Sequence, residues 1–178
     1  MAEDSNIEWT QNTFNPWIGC TKVSEGCLRC YAETGDRYRH WTPQGWGQGK
    51  PRRRTSDENW KAPLKWNRAA AQSGRRAKVF CASLADVFDQ EIDLAWREDL
   101  GALIRQCSHL DWQLLTKRPE SIATCLPDDW GSGWSNVWLG IRPSRDDGGR
   151  FRMFQFLDDG RRYQHLTKEA GQHFDITD

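Results

Sequence analysis

The stretch GCTKVSEGCLRCY, residues 19–31, concentrates more chemistry than any other part of this 178-residue chain. Its cysteines, Cys20, Cys27 and Cys30, follow the spacing C-x6-C-x2-C. The short gap between Cys27 and Cys30 lets both sulfurs turn toward one ion or cluster, and Cys20 can reach the same centre across the loop. Because a structural zinc site usually has four protein ligands, three cysteines predict a centre with one open coordination position.

Composition and charge narrow the class of protein. The chain has 25 basic and 25 acidic residues, so its overall charge gives no reason to expect nucleic-acid or membrane binding. Its length predicts one domain, to whose core 11 tryptophans contribute much apolar mass. Since no apolar run has the length of a signal peptide or a membrane span, we expect a cytoplasmic protein with no membrane partner. Thiols stay reduced in that compartment, which favours metal ligation over disulfides.

The pattern of apolar residues predicts strands that alternate with helices. Residues 77–83, AKVFCAS, have the continuous apolar character of a buried parallel strand, and residues 111–116 and 136–141 predict two more strands. The mixed segment 7–19 predicts a first strand that ends near Ile18 and leads into the cysteine loop. This alternation indicates right-handed βαβ units and predicts an α/β fold, a partial (β/α) TIM-like barrel.

Helices and one long loop are predicted between these strands. Residues 93–107 place apolar side chains every three or four positions, which is typical of an amphipathic helix. Residues 28–39 predict a helix after the cysteines, and residues 57–72 predict a short helix interrupted by Pro63. The Gly-, Pro- and Arg-rich segment 41–56 predicts an exposed excursion.

The long loop contains a short basic run that allows two interpretations. Residues 50–54, KPRRR, could contact phosphates while Trp41 and Trp46 stack on bases, so a nucleic acid or a nucleotide is one candidate partner. A solvated loop is the interpretation we favour, because so few basic residues in a neutral protein are a weak electrostatic footprint.

The segment around the cysteines, IEWTQNTFNPWIGCTKVSEGCLRCYAE, resembles the phage Gp37/Gp68 family of three-cysteine-motif proteins, a DUF5131-type group. Similar segments at AKVFCASLADVFD, DWQLLTKRPE and NVWLG extend the resemblance over about residues 7 to 140. This family is similar to radical S-adenosylmethionine (SAM) enzymes, in which three cysteines hold a [4Fe-4S] cluster whose fourth iron binds SAM. The resemblance implies that Cys20, Cys27 and Cys30 hold such a cluster and that SAM is a second cofactor. The gap between the first two cysteines is longer than in the usual radical SAM motif.

Four further candidate site residues follow predicted strands. Ser83 and Asp86 lie at the end of the second predicted strand, and Lys117 and Arg118 follow the third. Because barrels of this type keep their chemistry at the carboxyl ends of their strands, Ser83 and Asp86 are expected to bind a hydroxyl of SAM or of the substrate. The two cations are expected to bind the SAM carboxylate or a substrate phosphate. The alternatives are a turn capped by Asp86 and an ordinary charged turn after the third strand.

The composition changes after Ile141. Residues 142–178 are charged and rich in glycine, and in them only residues 151–157, FRMFQFL, alternate like a strand. The total is then about five strands, fewer than the eight of a full barrel. We therefore predict a radical SAM-like partial barrel over residues 1–141 and a divergent or truncated tail over residues 142–178, and this count leaves open whether the barrel is incomplete at its C-terminus.

Three functions are compatible with these patterns. The leading hypothesis is an iron–sulfur enzyme of the radical SAM type that modifies an unknown substrate. The chief alternative is a non-catalytic zinc module with His40 as fourth ligand, acting as an adapter for nucleic acid or for a partner protein. The third is an inactive, truncated copy that keeps the cysteine motif.

Overall fold

The computed structural model describes residues 5–141 and the three segments 151–156, 162–167 and 173–176. Its strands are β1 Asn12–Phe14, β2 Trp17–Ile18, β3 Arg53–Arg54, β4 Ala77–Cys81, β5 Leu110–Thr116, β6 Val137–Ile141, β7 Phe151–Phe156, β8 Arg162–Thr167 and β9 His173–Ile176. Its α-helices are α1 Tyr31–Arg39, α2 Asp57–Ser73, α3 Leu94–Gln106 and α4 Ile122–Cys125. No helix in the described part of the chain is long and apolar enough to cross a membrane.

Seven of the strands form one mixed sheet in the order β1-β4-β5-β6-β7-β8-β9. The first four are parallel, as the alternation of strands and helices predicts, and the last three are antiparallel. Strand β7 confirms the strand predicted at residues 151–157, but β8 and β9 follow it, so the expectation of one strand after Ile141 and of about five strands in all is wrong. The strand pairings establish a mixed α/β architecture, while the TIM-like barrel and the division of the chain at residue 141 stay predictions.

The amino-terminal segment differs from the single strand predicted to end near Ile18. Strand β1 ends at Phe14, and β2 leaves the main sheet to pair with β3 in a two-stranded antiparallel ribbon. The break falls at Pro16, which has no amide hydrogen to donate to a strand ladder. The cysteine loop therefore leaves from this ribbon. It begins at Gly19, whose φ of 115° and close approach to Arg52 would not accommodate a side chain.

Helices α2 and α3 cover the parallel strands. Helix α3 confirms the amphipathic prediction: Asp93 caps its first turn by accepting a hydrogen bond from the backbone N–H of Ala95. Helix α2 continues through Pro63 to Ser73, so the predicted interruption is wrong. A proline removes one backbone hydrogen bond, but packing of the apolar face of α2 on the sheet compensates for that loss.

The core lies between these helices and one face of the sheet. Its largest fully buried side chains include Trp17, Trp112, Phe14, Leu100 and Val79. The core holds the parallel strands in register, so that the segments following β1, β4 and β5 emerge at the same edge of the sheet. The candidate site residues predicted from the sequence lie at this carboxyl edge.

Candidate functional site

One cavity at the carboxyl edge of the parallel strands is lined by all seven residues that the leading hypothesis assigns to the site. Its volume is about 340 Å³, within the range of small-molecule sites. The predicted residues that line it are Cys20, Cys27, Cys30, Ser83, Asp86, Lys117 and Arg118. The structure brings them together because the carboxyl ends of neighbouring parallel strands meet at one edge of a sheet.

The three cysteines are positioned by different kinds of local structure. Cys27 ends the short 3₁₀ turn Glu25–Cys27, and Cys30 is the residue that precedes helix α1. The turn is closed by a hydrogen bond from the backbone N–H of Cys27 to the carbonyl of Ser24, at 2.9 Å. Local backbone structure thus places Cys27 and Cys30, whereas Cys20 lies outside this turn and depends on contacts with distant residues.

The Cys27 thiol is the more acidic of the two cysteines whose pKa values are shifted at the cavity. Burial acts to raise its pKa, but hydrogen bonds from the backbone of Val23 and Ser24 and the positive charge of Lys117 together lower it below the ordinary value of 9.0. The Lys117 ammonium lies close by and donates a hydrogen bond to the carbonyl of Gly26, at 2.8 Å. Cys27 is therefore the thiol best prepared to become a thiolate ligand.

The Cys20 thiol behaves in the opposite way. Burial raises its pKa to about 11, and the Arg118 guanidinium, which donates a hydrogen bond to Cys20 Sγ at 3.3 Å, offsets only part of that rise. Burial acts to lower the pKa of Arg118, but Cys20, Asp86 and Asp89 raise it above its ordinary value. Since Cys20 is a neutral thiol at pH 7, the two carboxylates are what balance the charge of Arg118 at neutral pH.

The residues fit a three-cysteine centre in chemical type and in location. Three thiols line one cavity, two cations adjoin them, and the cavity has room for a small molecule. Within the described residues, however, no group of three or more His, Cys, Asp or Glu side chains is close enough together to hold one metal ion. Cys20 instead directs its sulfur toward Arg118 and the carbonyl of Thr21.

Asp86 and Arg118 are bound to each other rather than open to a ligand. Arg118 Nη1 lies 3.1 Å from Asp86 Oδ2, and both side chains are buried. Asp86 also accepts hydrogen bonds from Thr116 Oγ1 at 2.9 Å and from the backbone N–H of Phe88 at 3.0 Å. Asp86 thus closes its own turn, as the structural alternative predicted, and at the same time fixes the residues that follow β5.

Lys117 differs from its neighbour. Among the described residues, its side chain donates one hydrogen bond, from Nζ to the carbonyl of Gly26, and forms no ion pair with a carboxylate. An ammonium has three N–H donors, so Lys117 retains the capacity to bind an anion at the cavity wall. Of the two cations predicted to bind a carboxylate or a phosphate, Lys117 is the one with donors to spare.

Ser83 lies on the cavity wall beside a strained residue. Ala82 has a φ of 64°, a left-handed conformation that is unfavourable for alanine, and its N–H bonds the carbonyl of Phe14 at 2.8 Å. The Ser83 hydroxyl accepts a hydrogen bond from Asn15 Nδ2 at 3.0 Å, and the Ser83 carbonyl accepts one from the Tyr31 hydroxyl. Asn15 and Tyr31, which sequence reasoning missed, therefore shape the cavity wall around Ser83.

Aromatic and aliphatic side chains form the rest of the wall. Trp9 packs on Phe80 with ring centroids 4.8 Å apart, and both line the cavity together with Trp46 and Leu115. The sequence analysis named only Trp46 among them, as a candidate to stack on bases, and assigned none of them to the cysteine site. Phe80 and Leu115 each lie one residue before the end of a strand, which is the signal that could have identified them.

Arg52 is an exception to the interpretation of the basic run as a solvated loop, which holds for the exposed residues Lys50, Pro51 and Arg53. Its side chain is buried and pairs with Asp89 at 2.8 Å and with Glu91 at 3.1 Å. Its Nη1 also donates to the carbonyls of Gly47 and Lys50. Arg52 therefore stabilises the loop from inside the protein, and its guanidinium is not exposed to bind a phosphate.

Fold and site together define an α/β protein with a cysteine-lined cavity at the carboxyl edge of its parallel strands. The chain belongs to the family described as "Protein of unknown function (DUF5131)", whose profile matches residues 4–170. The match extends beyond residue 141 and so includes most of the segment predicted to be a divergent tail. Comparisons with curated proteins and with solved structures find no match.

Proposed function

We propose that this chain is an iron–sulfur protein of the radical SAM type, like the phage Gp37/Gp68 proteins that its sequence resembles. Cys20, Cys27 and Cys30 would be the ligands of a [4Fe-4S] cluster, and the adjoining cavity would take SAM and the substrate. The observation that carries this proposal is the presence of three thiols on one small-molecule cavity at the carboxyl edge of parallel strands. The cluster, when bound, supplies the electron that cleaves SAM to a carbon radical.

The protein's own residues supply acidity, charge and exclusion of water. Cys27, with its lowered pKa, offers the first thiolate for loading. The Lys117 ammonium is placed to bind a carboxylate or a phosphate at the cavity wall. Trp9, Phe80 and Leu115 provide an apolar surface that would shield a reactive intermediate from solvent.

The zinc alternative receives less support from the site. His40, its proposed fourth ligand, follows helix α1 with a φ of 51°. It lines a separate cavity together with Asp36 and Thr42, and it is not among the residues that line the cysteine cavity. The inactive-copy alternative predicts that the cluster is held without turnover, so it is separated from the leading proposal by activity alone.

Anaerobic reconstitution with iron and sulfide tests the ligand assignment. We expect about four irons per chain with a brown charge-transfer absorbance, together with an electron paramagnetic resonance signal after reduction. Stoichiometric zinc in purified protein that gains no such absorbance would favour the adapter. Release of 5′-deoxyadenosine after addition of SAM and reductant then distinguishes an enzyme from an inactive copy.

Two alanine variants provide a matched comparison. Cys27 and Cys125 are both 7% exposed, but only Cys27 lines the cavity. Cys27→Ala should lose the cluster, whereas Cys125→Ala should retain it, because removing an uninvolved buried thiol affects packing alone. Equal iron retention in the two variants would contradict the assignment.

We also propose a cytoplasmic location, where thiols stay reduced. A nucleotide or nucleic acid is the substrate class we favour, because Trp9 and Trp46 present aromatic rings at the cavity. Offering mononucleotides and oligonucleotides to the loaded protein and following 5′-deoxyadenosine release checks this choice; stimulation by neither would contradict it.

A further inference from the structure

Beside the cysteine loop lies a buried cluster of four charged side chains. Arg52, Asp89, Arg118 and Asp86 have side chains that are 2%, 3%, 5% and 8% exposed. The pairs Arg52–Asp89 and Arg118–Asp86 are 2.8 and 3.1 Å apart, and Asp89 also lies 3.6 Å from Arg118. Buried charges are tolerated only when they are paired and hydrogen-bonded, so this cluster must be maintained as a unit.

Both arginines of the cluster hold the same short segment of the cysteine loop. Arg118 Nη2 donates to the carbonyl of Thr21 at 2.6 Å, and Arg52 Nη2 donates to the Thr21 hydroxyl at 2.7 Å. The hydroxyl in turn donates to Glu91 at 2.6 Å. Arg118 Nη1 also reaches Cys20 Sγ, as described above. Thr21 is thus held by hydrogen bonds to both its backbone and its side chain.

The geometry leaves Arg118 little capacity to act as an anion receptor. Its Nη1 contacts Asp86 and Cys20, and its Nη2 contacts Thr21 and Asp89. Two of the five N–H donors of a guanidinium are therefore committed to hydrogen bonds, with Cys20 Sγ and the Thr21 carbonyl, and two carboxylates pair with the same nitrogens at 3.1 and 3.6 Å. A carboxylate or phosphate from outside could bind its fork only by displacing Asp86 or Asp89 from a buried pair.

The contacts of Arg118 fix one end of the loop that separates Cys20 from Cys27. Six residues separate Cys20 from Cys27, and a loop of this length gives up conformational entropy when its ends are fixed. Residue 118 is about a hundred positions from Cys20 along the chain, so the anchor comes from the end of β5 rather than from the loop. A rigid sheet edge can hold a ligand more accurately than a loop can by itself.

We propose that Arg118 is a positioning residue, which together with Arg52, Asp86 and Asp89 fixes Cys20 and Thr21 at the edge of the sheet. This role replaces the binding of a SAM carboxylate or a substrate phosphate predicted for Arg118 from the sequence. We call the contacts of Arg118 and Arg52 with Cys20 and Thr21 the clamp. The proposal rests on the proposed function only for the statement that Cys20 is a metal ligand.

Alkylation of individual cysteines in the protein without added metal tests the clamp. The probe is iodoacetamide at pH 8, with the modified cysteines identified by mass spectrometry. In Arg118→Ala, loss of two charge-assisted hydrogen bonds should release the loop and accelerate alkylation of Cys20 by about tenfold or more. If Arg118 were only an electrostatic partner of a cysteine that stays in place, its removal would leave alkylation of Cys20 unchanged or slower, and that result would overturn the proposal.

The chain supplies its own controls for this measurement. Cys81 and Cys107 are fully buried in the core, so they must remain unmodified if the variant is folded. Lys117→Ala removes the adjacent cation, which contacts Gly26 and not Thr21, and it should leave the rate at Cys20 within about twofold of wild type. Equal acceleration in Lys117→Ala and Arg118→Ala would show a general loosening of the sheet edge and would refute the specific role.

Chemical rescue separates positioning from a general loss of stability. Methylguanidinium at millimolar concentration should slow alkylation of Cys20 again in Arg118→Ala, because the small cation can reoccupy the buried site between Asp86 and Asp89. If Cys81 becomes alkylated in Arg118→Ala, the variant Arg118→Lys is used in its place. Lysine retains the positive charge but lacks the planar guanidinium, so alkylation of Cys20 should again be faster than in wild type. A wild-type rate in Arg118→Lys would refute the proposal, whatever the wild-type protein does with iron.

Discussion

The difference in acidity between Cys20 and Cys27 leads to a quantitative prediction for their reactivity as the pH is raised from 7 to 10. With a pKa of about 11, the Cys20 thiol is ionised to about one part in a thousand at pH 8, against about one part in ten for an ordinary thiol of pKa 9.0. The greater nucleophilicity of the more basic thiolate recovers roughly tenfold of this hundredfold difference. Cys20 should therefore react about tenfold more slowly than an ordinary thiol at pH 8.

The assay is timed alkylation with a neutral reagent, followed by digestion and mass spectrometry of each cysteine peptide. The rate at Cys20 should rise about tenfold for each pH unit up to pH 10, since only the thiolate reacts. The rate at Cys27 should reach half of its maximum below pH 9, because its pKa lies below that value. The reasoning would be refuted if Cys20 levelled off below pH 10 or matched Cys27 at pH 8.

The same pKa sets a cost for metal binding. To become a thiolate ligand, Cys20 must lose its proton. At pH 7, about four pH units below the pKa of this thiol, that loss costs about 5 kcal/mol. A metal centre at this site has to recover that energy through its bond to sulfur. Loading through Cys20 is therefore expected to become more favourable as the pH rises, until the thiol ionises by itself.

Two further substitutions have outcomes that the packing determines. Arg52→Ala leaves the buried carboxylate of Asp89 with a weaker partner, so it should lower the free energy of unfolding by about 3 kcal/mol in urea titrations. The control Arg105→Ala breaks an exposed pair and should lower the free energy of unfolding by at most about 1 kcal/mol. Equal losses in the two variants would contradict the argument from burial. Gly35→Ala would bring a Cβ to 2.8 Å from the Trp41 ring, so we expect it to lower stability by about 1 kcal/mol in spite of alanine's better helix propensity, and a gain in stability would show that the ring moves freely.

Several elements could be predicted because their signals are local. Helix α3 follows from an apolar repeat behind a capping aspartate, and β4 follows from a short continuous apolar run. The location of the site could also be predicted, because polar residues directly after parallel strands must meet at one edge. Of the whole site, the cysteine loop and residues 83, 86, 117 and 118 were accessible in this way.

Other features depend on partners far away in the sequence. Arg52 looks like part of a solvated basic run until Asp89, 37 residues later, is placed beside it. Burial of such a pair cannot be read from a charge pattern, because the same residues are usually exposed. The strand break at Pro16 had a local signal in the proline itself, but the pairing of β2 with β3 required knowledge of where residues 53 and 54 return.

Lys117 and Arg118 follow the same strand but make different contacts with the cysteine loop. Both follow β5 directly and line the same cavity, but their side chains contact different parts of the cysteine loop. Arg118 turns toward Cys20, and Lys117 turns toward Gly26, beside Cys27. Cys20 and Gly26, which lie at the two ends of the loop between the first and second cysteines, are therefore both held by the segment that directly follows β5.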